Sequence, residues 1–270
     1  MPDISPPPAP AAPSLAETLD RPSSWRADLV TATLFLTRLP LPAIVRAHAG
    51  GLARALRAFP LVGALIGLAA AAVYALGLTL GLAPLAAAVV AIGATVALTG
   101  ALHEDGLADC ADGFGGGRDC AAKLAIMRDS RIGTYGVLAL MIAVALKAAA
   151  LADLGAADAC AALVAAHAAS RAAMPLLMTL LEPARTDGLA AGLGRPPELV
   201  IAQAVILGVL LCGLAAGPFA GIVALSFAAL ALAGLEALAR RQIGGYTGDV
   251  LGAAQQVTET AILLALSAVW

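Results

Sequence analysis

The acidic residues of this chain are concentrated in one short segment. Residues 100–117 read GALHEDGLADCADGFGGG and carry four carboxylates, Glu104, Asp105, Asp109 and Asp112. An even spread of the 18 acidic residues over 270 positions would place fewer than one in the nine positions 104–112. If the preceding apolar stretch continues as a helix past Gly100, Asp105, Asp109 and Asp112 share one face, since i, i+4 and i+7 lie on the same side of an α-helix.

Carboxylates stacked one turn apart repel each other unless a cation lies between them. Oxygen ligands with no His or Cys at zinc-ligand spacing favour Mg²⁺ or Mn²⁺ over zinc. We therefore predict that Asp105, Asp109, Asp112 and Glu104 bind Mg²⁺; the alternative is a solvated acidic helix end. Because Mg²⁺ usually completes its shell with water and substrate phosphate oxygens, a phosphate-bearing substrate is expected.

A second polar segment, residues 128–136 with the sequence RDSRIGTYG, offers groups that a phosphate would need. The candidates are Arg128 and Arg131 for charge, Ser130 as a hydroxyl donor, Asp129 as a ligand or base, and Gly133 and Gly136 for backbone amides. A glycine-containing turn that opens a helix presents free amides to an anion. An ordinary loop turn is the competing interpretation.

A third segment, residues 244–252 with the sequence GGYTGDVLG, combines Gly245, Thr247 and Gly248 as substrate-binding candidates with Asp249, which, like Asp129, is a candidate ligand or base. His103 is a candidate base, and equally a residue that only supports the site. A serine hydrolase is not indicated, because the chain has no GxSxG sequence. Phosphoryl transfer needs charge neutralisation and a base for the attacking hydroxyl, and the three segments together contain these parts.

The rest of the chain is strongly apolar. Hydrophobic residues make up 61% and charged residues 13%, and the mean hydropathy is +0.91, which excludes an ordinary water-soluble domain. The net charge of −2 gives no basic excess, so no nucleic-acid partner is expected. Seven apolar stretches are long enough for transmembrane helices. We predict them at 58–80, 84–102, 134–152, 159–181, 199–216, 219–238 and 253–270.

The fold predicted from these spans is an all-α polytopic membrane bundle. Residues 1–24 are rich in Pro and Ala, resemble no secretory signal, and are predicted to be a disordered tail. Residues 25–44 carry Asp28 and Arg38 and end in the prolines of RLPLP, so we predict an interfacial or half-inserted helix. The membrane-embedded transferase domain would then cover residues 25–270.

The basic residues indicate which side each loop occupies. Fourteen of the 16 lie before the first span or in the alternate loops that follow the second, fourth and sixth spans. By the positive-inside rule, the loops 103–133 and 239–252 are predicted to be cytoplasmic, with Trp270 near the outer face.

Two basic residues lie inside spans. Lys147 is close enough to a helix end for its amine to snorkel to the interface. Arg171 follows His167 by one turn, and either a structural pair between helices or a phosphate-binding role is open. The GxxxG pairs, such as Gly63 with Gly67, are interpreted as helix packing.

Five blocks of the sequence resemble the cobalamin synthase family of adenosylcobinamide-GDP ribazoletransferases. They are FLTRLPLP at 35–42, FPLVGALIG at 59–67, GALHEDGLADCADGFGGG at 100–117, MRDSRIGTYGVLAL at 127–140 and GGYTGDVLGA at 244–253. The resemblance implies a multi-pass enzyme of the bacterial inner membrane with a cytoplasmic active site. It also implies that the enzyme joins α-ribazole, or its 5′-phosphate, to adenosylcobinamide-GDP, with Mg²⁺ required and GMP released.

Two other classes stay open at the level of sequence. CDP-alcohol phosphotransferases have similar chemistry, but their DGxxAR sequence is absent, since Leu107-Ala108-Asp109 follows Asp105-Gly106 here. A transporter would place carboxylates near the middle of the membrane, whereas these cluster at a predicted cytoplasmic edge. Both a monomer and a homo-oligomer remain open.

Overall fold

The structure is a computed structural model that describes residues 24–40 and 49–270. Within these ranges the chain forms twelve α-helices and no named β-strand. The helices are α1 (Trp25–Leu36), α2 (Ala49–Ala55), α3 (Phe59–Thr79), α4 (Pro84–Thr99), α5 (Leu102–Gly116), α6 (Cys120–Ile126), α7 (Thr134–Asp153), α8 (Ala156–Leu180), α9 (Leu189–Gly192), α10 (Glu198–Ala216), α11 (Pro218–Ile243) and α12 (Gly248–Val269). A 3₁₀ turn, Leu56–Ala58, joins α2 to α3.

Six of the described segments are long and apolar enough to cross a membrane, and the bent pair α4 and α5 would make a seventh. The six are Gly51–Thr79, Thr134–Asp153, Ala156–Leu180, Glu198–Ala216, Pro218–Ile243 and Gly248–Val269. The prediction of an all-α membrane bundle with about seven spans is confirmed. The disordered tail predicted for residues 1–24 lies, except for Ser24, outside the described residues.

The second predicted span does not continue past Gly100. Gly100 and Ala101 both have left-handed backbone, with φ of 67° and 58°, and the chain bends by 94° between α4 and α5. The Ala101 amide donates to the Val96 carbonyl at 2.9 Å, which closes the end of α4. The predicted continuous helix was therefore wrong. The shared face of the aspartates survives because α5 is itself helical.

The most buried helices, α8 and α12, lie at the centre of the bundle. Gly63 and Gly67 of α3 pack directly against the α8 backbone, where a Cβ on Gly67 would lie 2.6 Å from the carbonyl oxygen of Leu163. Small residues at such positions allow helices in a membrane to approach closely. The packing interpretation of this GxxxG pair is confirmed.

Helix α1 is too short to span a membrane. Its 12 residues give a length of about 18 Å, compared with about 30 Å of hydrocarbon. Its buried Asp28 forms an ion pair of 2.5 Å with Arg57, and the Arg57 guanidinium lies 4.1 Å from the centroid of the Trp25 ring. Both contacts join α1 to the chain that leads into α3.

The loop after α8 pairs with the loop before α12. The Tyr246 amide donates to the Glu182 carbonyl at 2.9 Å, and the Ala184 amide donates to the Tyr246 carbonyl at 2.8 Å. Gly245 is required at this contact, since a Cβ there would clash with the Glu182 carbonyl. The pairing brings residues 182–197 to the end of the bundle where α12 begins.

Candidate active site

Two glycines allow α5 and α12 to cross with their backbones in contact. A Cβ on Gly106 would lie 2.7 Å from the Asp249 carbonyl oxygen, and a Cβ on Gly252 would lie 3.3 Å from the Cα of His103. A Cβ 2.7 Å from an oxygen atom is closer than real Cβ contacts allow, so only glycine fits at position 106. The crossing brings Asp249, at the start of α12, alongside the aspartates of α5.

Carboxylates of α5 and α12 interact at this crossing. Asp109 interacts electrostatically with Asp105 and Asp112 on its own helix face and with Asp249 across the crossing. Asp249 also interacts with Asp105. The structure thus brings together two sequence segments, 100–117 and 244–252, that were predicted to share a site.

Arg185 is a member of this cluster that the sequence analysis missed. Its Nη2 lies 3.7 Å from Asp249 Oδ2, and its buried Nη1 has no hydrogen-bond partner among the described residues. The Thr247 hydroxyl donates to the same Asp249 oxygen at 3.0 Å. Arg185 belongs to no motif. The sequence did contain one signal for it. Arg185 is one of two basic residues in the loop between the fourth and fifth predicted spans, which is on the same predicted side of the membrane as the other polar segments.

The structure gives Asp112 two partners at the start of the next membrane-spanning helix. Its carboxylate accepts hydrogen bonds from the backbone amides of Gly133 at 2.6 Å and Gly136 at 2.9 Å. A carboxylate at a helix N-terminus is favourable because the first amides of a helix lack partners and the helix dipole is positive there. The two amides predicted to be free for a phosphate are therefore occupied by this chain's own Asp112.

The predicted phosphate-binding residues of the second segment lie at the surface in ion pairs. Arg128 pairs with Asp187 at 2.5 Å, and Arg131 pairs with Asp129 at 2.6 Å. Hydrogen bonds from Arg131 lower the pKa of Asp129 to about 2. Ser130 is exposed. Asp129 and Arg131 border a cavity of about 480 Å³ next to Asp112, whereas Asp249 borders other cavities.

Two cavities meet at Asp249 and Gly248. One, of about 190 Å³, is bordered by Asp105, Asp249 and His103 and otherwise by apolar residues. The other, of about 220 Å³, is bordered by Arg185, Asp187 and Thr247. Asp249 is therefore accessible from an apolar cavity on one side and a polar one on the other.

Glu104 points away from the aspartates and into the bundle. Its Oε1 accepts from Gln256 Nε2 at 2.9 Å, and Gln256 Oε1 accepts from Lys147 Nζ at 2.9 Å. Lys147 is only 2% exposed and also lies 3.1 Å from Glu259. The snorkelling interpretation of Lys147 is therefore wrong, because a buried carboxylate on α12 satisfies its amine within the bundle.

The same Glu259 resolves the alternatives for Arg171. His167 Nδ1 and Arg171 Nη1 lie 3.0 and 3.6 Å from Glu259 Oε2. Ser170 accepts from Gln255 at 3.0 Å. Arg171 of α8 is therefore paired with Glu259 of α12. Of the two interpretations, this contact corresponds to the structural pair between helices. The polar residues Gln255, Gln256 and Glu259 within an apolar span were an available signal that sequence reasoning missed.

Within residues 24–40 and 49–270, no three His, Cys, Asp or Glu side chains are grouped closely enough to hold a metal ion by themselves. Mg²⁺, however, is commonly bound by one or two carboxylates and completed by substrate phosphates. Asp105, Asp109 and Asp249 are oxygen donors of the kind that fits this binding mode, while Asp112 and Glu104 are engaged elsewhere.

Comparisons with known proteins identify the family of this chain. A family model described as cobalamin-5-phosphate synthase matches residues 28–267. The adenosylcobinamide-GDP ribazoletransferase of Bradyrhizobium diazoefficiens is 50% identical over 243 residues, covering 90% of this chain and 94% of the relative. The proteins of the same name from Mesorhizobium japonicum and Sinorhizobium medicae are 49% and 45% identical, each over 89% of this chain and over 92% and 95% of the relative. No solved structure is significantly similar. The chain belongs to the cobalamin-5-phosphate synthase family.

Proposed function

We propose that this enzyme transfers adenosylcobinamide phosphate from adenosylcobinamide-GDP to α-ribazole or its 5′-phosphate. A ribazole hydroxyl oxygen would attack the phosphorus linked to cobinamide, the bond to the GMP oxygen would break, and GMP would leave. The products are adenosylcobalamin, or its 5′-phosphate, and GMP. The names of the relatives support both substrates. The observation that carries the proposal is the convergence of Asp105, Asp109, Asp249 and Arg185 beside an apolar cavity.

Charge balance at this site supports Mg²⁺ as the cofactor. A diphosphate brought next to three carboxylates would be repelled, and one cationic residue, Arg185, does not offset that charge. Asp105 and Asp109 are the residues that would hold the ion, because Mg²⁺ is commonly bound by one or two carboxylates and Asp249 is then left as a base. Bound Mg²⁺ would neutralise phosphate oxygens and help the nucleotide to leave.

We assign the proton transfer to Asp249. Its carboxylate is oriented by the Thr247 hydroxyl and lies at the border of both cavities. A hydroxyl bound in the apolar cavity would therefore reach it, and Asp249 would accept the hydroxyl proton as the new bond forms. Arg185, with an unpaired Nη1 on the polar side, would bind phosphate oxygens.

The position of the site supports a cytoplasmic active site in the bacterial inner membrane. Contacts between Arg128 and Asp187 and between Arg185 and Asp249 bring three of the polar loops to one end of the bundle. These loops carry many of the basic residues, as expected of the cytoplasmic side. A soluble nucleotide substrate and its GMP product would enter and leave from that side.

The proposal is tested with the purified full chain in lipid vesicles. Adenosylcobinamide-GDP and α-ribazole are added with and without Mg²⁺, and GMP and the joined corrinoid are measured by mass spectrometry. Asp109→Asn should abolish transfer, because one carboxylate of the cluster loses its charge. Asp153→Asn, an exposed residue at the end of α7, should leave transfer unchanged.

Three results would contradict the proposal. Full activity of Asp109→Asn would exclude the carboxylate cluster as the catalytic site. Release of CMP from CDP-diacylglycerol, without GMP release from adenosylcobinamide-GDP, would indicate a phospholipid-forming transferase. Metal-dependent uptake into the vesicles without GMP release would indicate a transporter.

A further inference from the structure

The cavity of about 190 Å³ is lined by two chemically different sets of side chains. Asp105 and Asp249, with His103, are its polar residues. Side chains from α1, α8 and the segment 52–59 form an apolar wall, in which none of the described residues has a polar side chain. They include Phe35, Leu52, Leu56, Phe59, Met174 and Met178.

The apolar wall is suited to a flat ring. The rings of Phe35 and Phe59 are stacked, with centroids 5.7 Å apart and planes inclined by 18°. Met174 and Met178 lie one turn apart on α8 and are buried. Thioethers are polarisable and make favourable contacts with aromatic rings, and aromatic side chains prefer ring partners of defined orientation.

We propose that this cavity binds the aromatic base of ribazole, with the ribose directed towards Asp105 and Asp249. The inference rests on the proposed function and adds the place of the acceptor substrate. Of the large groups in the two substrates, the corrin ring exceeds the cavity volume. Guanine carries polar edge atoms that the apolar wall would leave unpaired, which is costly. The base of ribazole is a dimethylbenzimidazole, and its apolar, methylated edge matches the apolar wall.

His103 supports this orientation. It is 1% exposed, it borders the cavity next to Asp105, and its buried Nε2 has no hydrogen-bond partner in the described part of the chain. Buried polar atoms are nearly always paired. A ribose hydroxyl lying between the base and the carboxylates would supply the partner, so His103 becomes a substrate-binding residue for the nucleoside.

The first test uses the unaltered full chain in vesicles and measures binding alone. Dissociation constants are determined by equilibrium dialysis for α-ribazole, for the riboside of unsubstituted benzimidazole and for the α-riboside of adenine. Each methyl group removed should weaken binding about fourfold, so loss of both should weaken it about 15-fold. The α-riboside of adenine should bind still more weakly, because the apolar wall leaves the polar edge atoms of adenine without hydrogen-bond partners. Equal affinities for the three ribosides would overturn the inference.

The second test changes the walls. Met178→Gln places an amide of similar size in the apolar wall, and Ala190→Phe fills the cavity from the short surface helix α9. Each should raise the KM for α-ribazole about tenfold or more without raising the KM for adenosylcobinamide-GDP. Met141→Gln, on the exposed face of α7, is the matched control and should change neither value.

The outcomes separate this inference from the proposed function. Methyl-graded ribazole binding without any GMP release would support the cavity and contradict the proposed reaction. Transfer that proceeds while both wall variants keep the original KM for α-ribazole would overturn the cavity assignment. If the wall variants raise only the KM for adenosylcobinamide-GDP, the cavity binds the corrinoid nucleotide instead. That result would also overturn the inference.

Discussion

At the scale of single residues, Asp249 and Asp129 were alternative candidates for the base, and they occupy different environments. Asp249 lies at the border of two cavities and is oriented by Thr247. Asp129 is paired with the exposed Arg131, which lowers the pKa of Asp129 to about 2. A carboxylate with so low a pKa is a poor proton acceptor near neutral pH.

The two aspartates should therefore respond differently to neutralisation. Asp249→Asn should lower kcat by about 10²- to 10⁴-fold, the usual contribution of a general base. Asp129→Asn should retain most of the activity. Because the folded-state pKa of Asp129 is about 2, below the ordinary value of about 3.9, its ion pair persists as pH falls until about pH 2.

The measurement is the pH dependence of kcat for both variants between about pH 5 and pH 9. Asp129 does not titrate in this window, so Asp129→Asn should leave the shape of the profile unchanged. A profile that loses its acid limb in Asp129→Asn, but not in Asp249→Asn, would reverse the two assignments.

Asp112 offers a test of structural anchoring against metal binding. Asp112→Asn keeps one acceptor oxygen for the amides of Gly133 and Gly136 but loses the negative charge at the start of α7. The free energy of unfolding should fall by about 1 kcal/mol. The Mg²⁺ concentration for half-maximal activity should not change. A large shift in that concentration would show that Asp112 binds the metal.

At the scale of elements, the site depends on the crossing of α5 and α12. Gly106→Ala places a Cβ 2.7 Å from the Asp249 carbonyl oxygen, so the helices must separate or the backbone must shift. We expect a loss of about 1–3 kcal/mol in stability, as for other overpacked contacts. Transfer activity should fall as well, because the separation moves Asp249 away from Asp105 and Asp109.

Thermal unfolding in detergent and the transfer assay together check this expectation. The control is Gly93→Ala in α4, since this exposed helical glycine has open space where a Cβ would lie. Alanine there should be neutral or stabilising by up to about 1 kcal/mol. An active, stable Gly106→Ala protein would show that the crossing does not position the carboxylates.

At the scale of the whole molecule, one buried carboxylate connects three helices. Glu259 of α12 contacts Lys147 of α7 and both His167 and Arg171 of α8. The chain of contacts continues through Gln256 to Glu104 of α5. Since each charge in the bundle interior needs a partner, this network specifies how the central helices pack beneath the active site.

Neutralising Glu259 should therefore destabilise the bundle. Glu259→Gln leaves the cations of Lys147 and Arg171 without their carboxylate, and removing one member of a buried ion pair costs about 3–5 kcal/mol. The midpoint of thermal unfolding in detergent is the measurement. Glu236→Gln breaks an i,i+4 pair with Arg240 on a more exposed surface and should cost less than about 0.5 kcal/mol. Similar midpoints for the two variants would contradict the role of the network.

The properties that follow from local sequence were predictable. Apolar length determines the spans, and helical periodicity places Asp105, Asp109 and Asp112 on one face whichever way α5 points. The tertiary structure alone decided which partners these residues meet. Lys147 and Glu259 are 112 positions apart, and the pairing of Arg185 with Asp249 depends on a loop contact that no periodicity encodes. The engagement of Asp112 with Gly133 and Gly136 likewise follows from how α5 packs on α7. Contacts between distant segments depend on the angle and depth at which helices cross, and those are set by packing of the whole bundle.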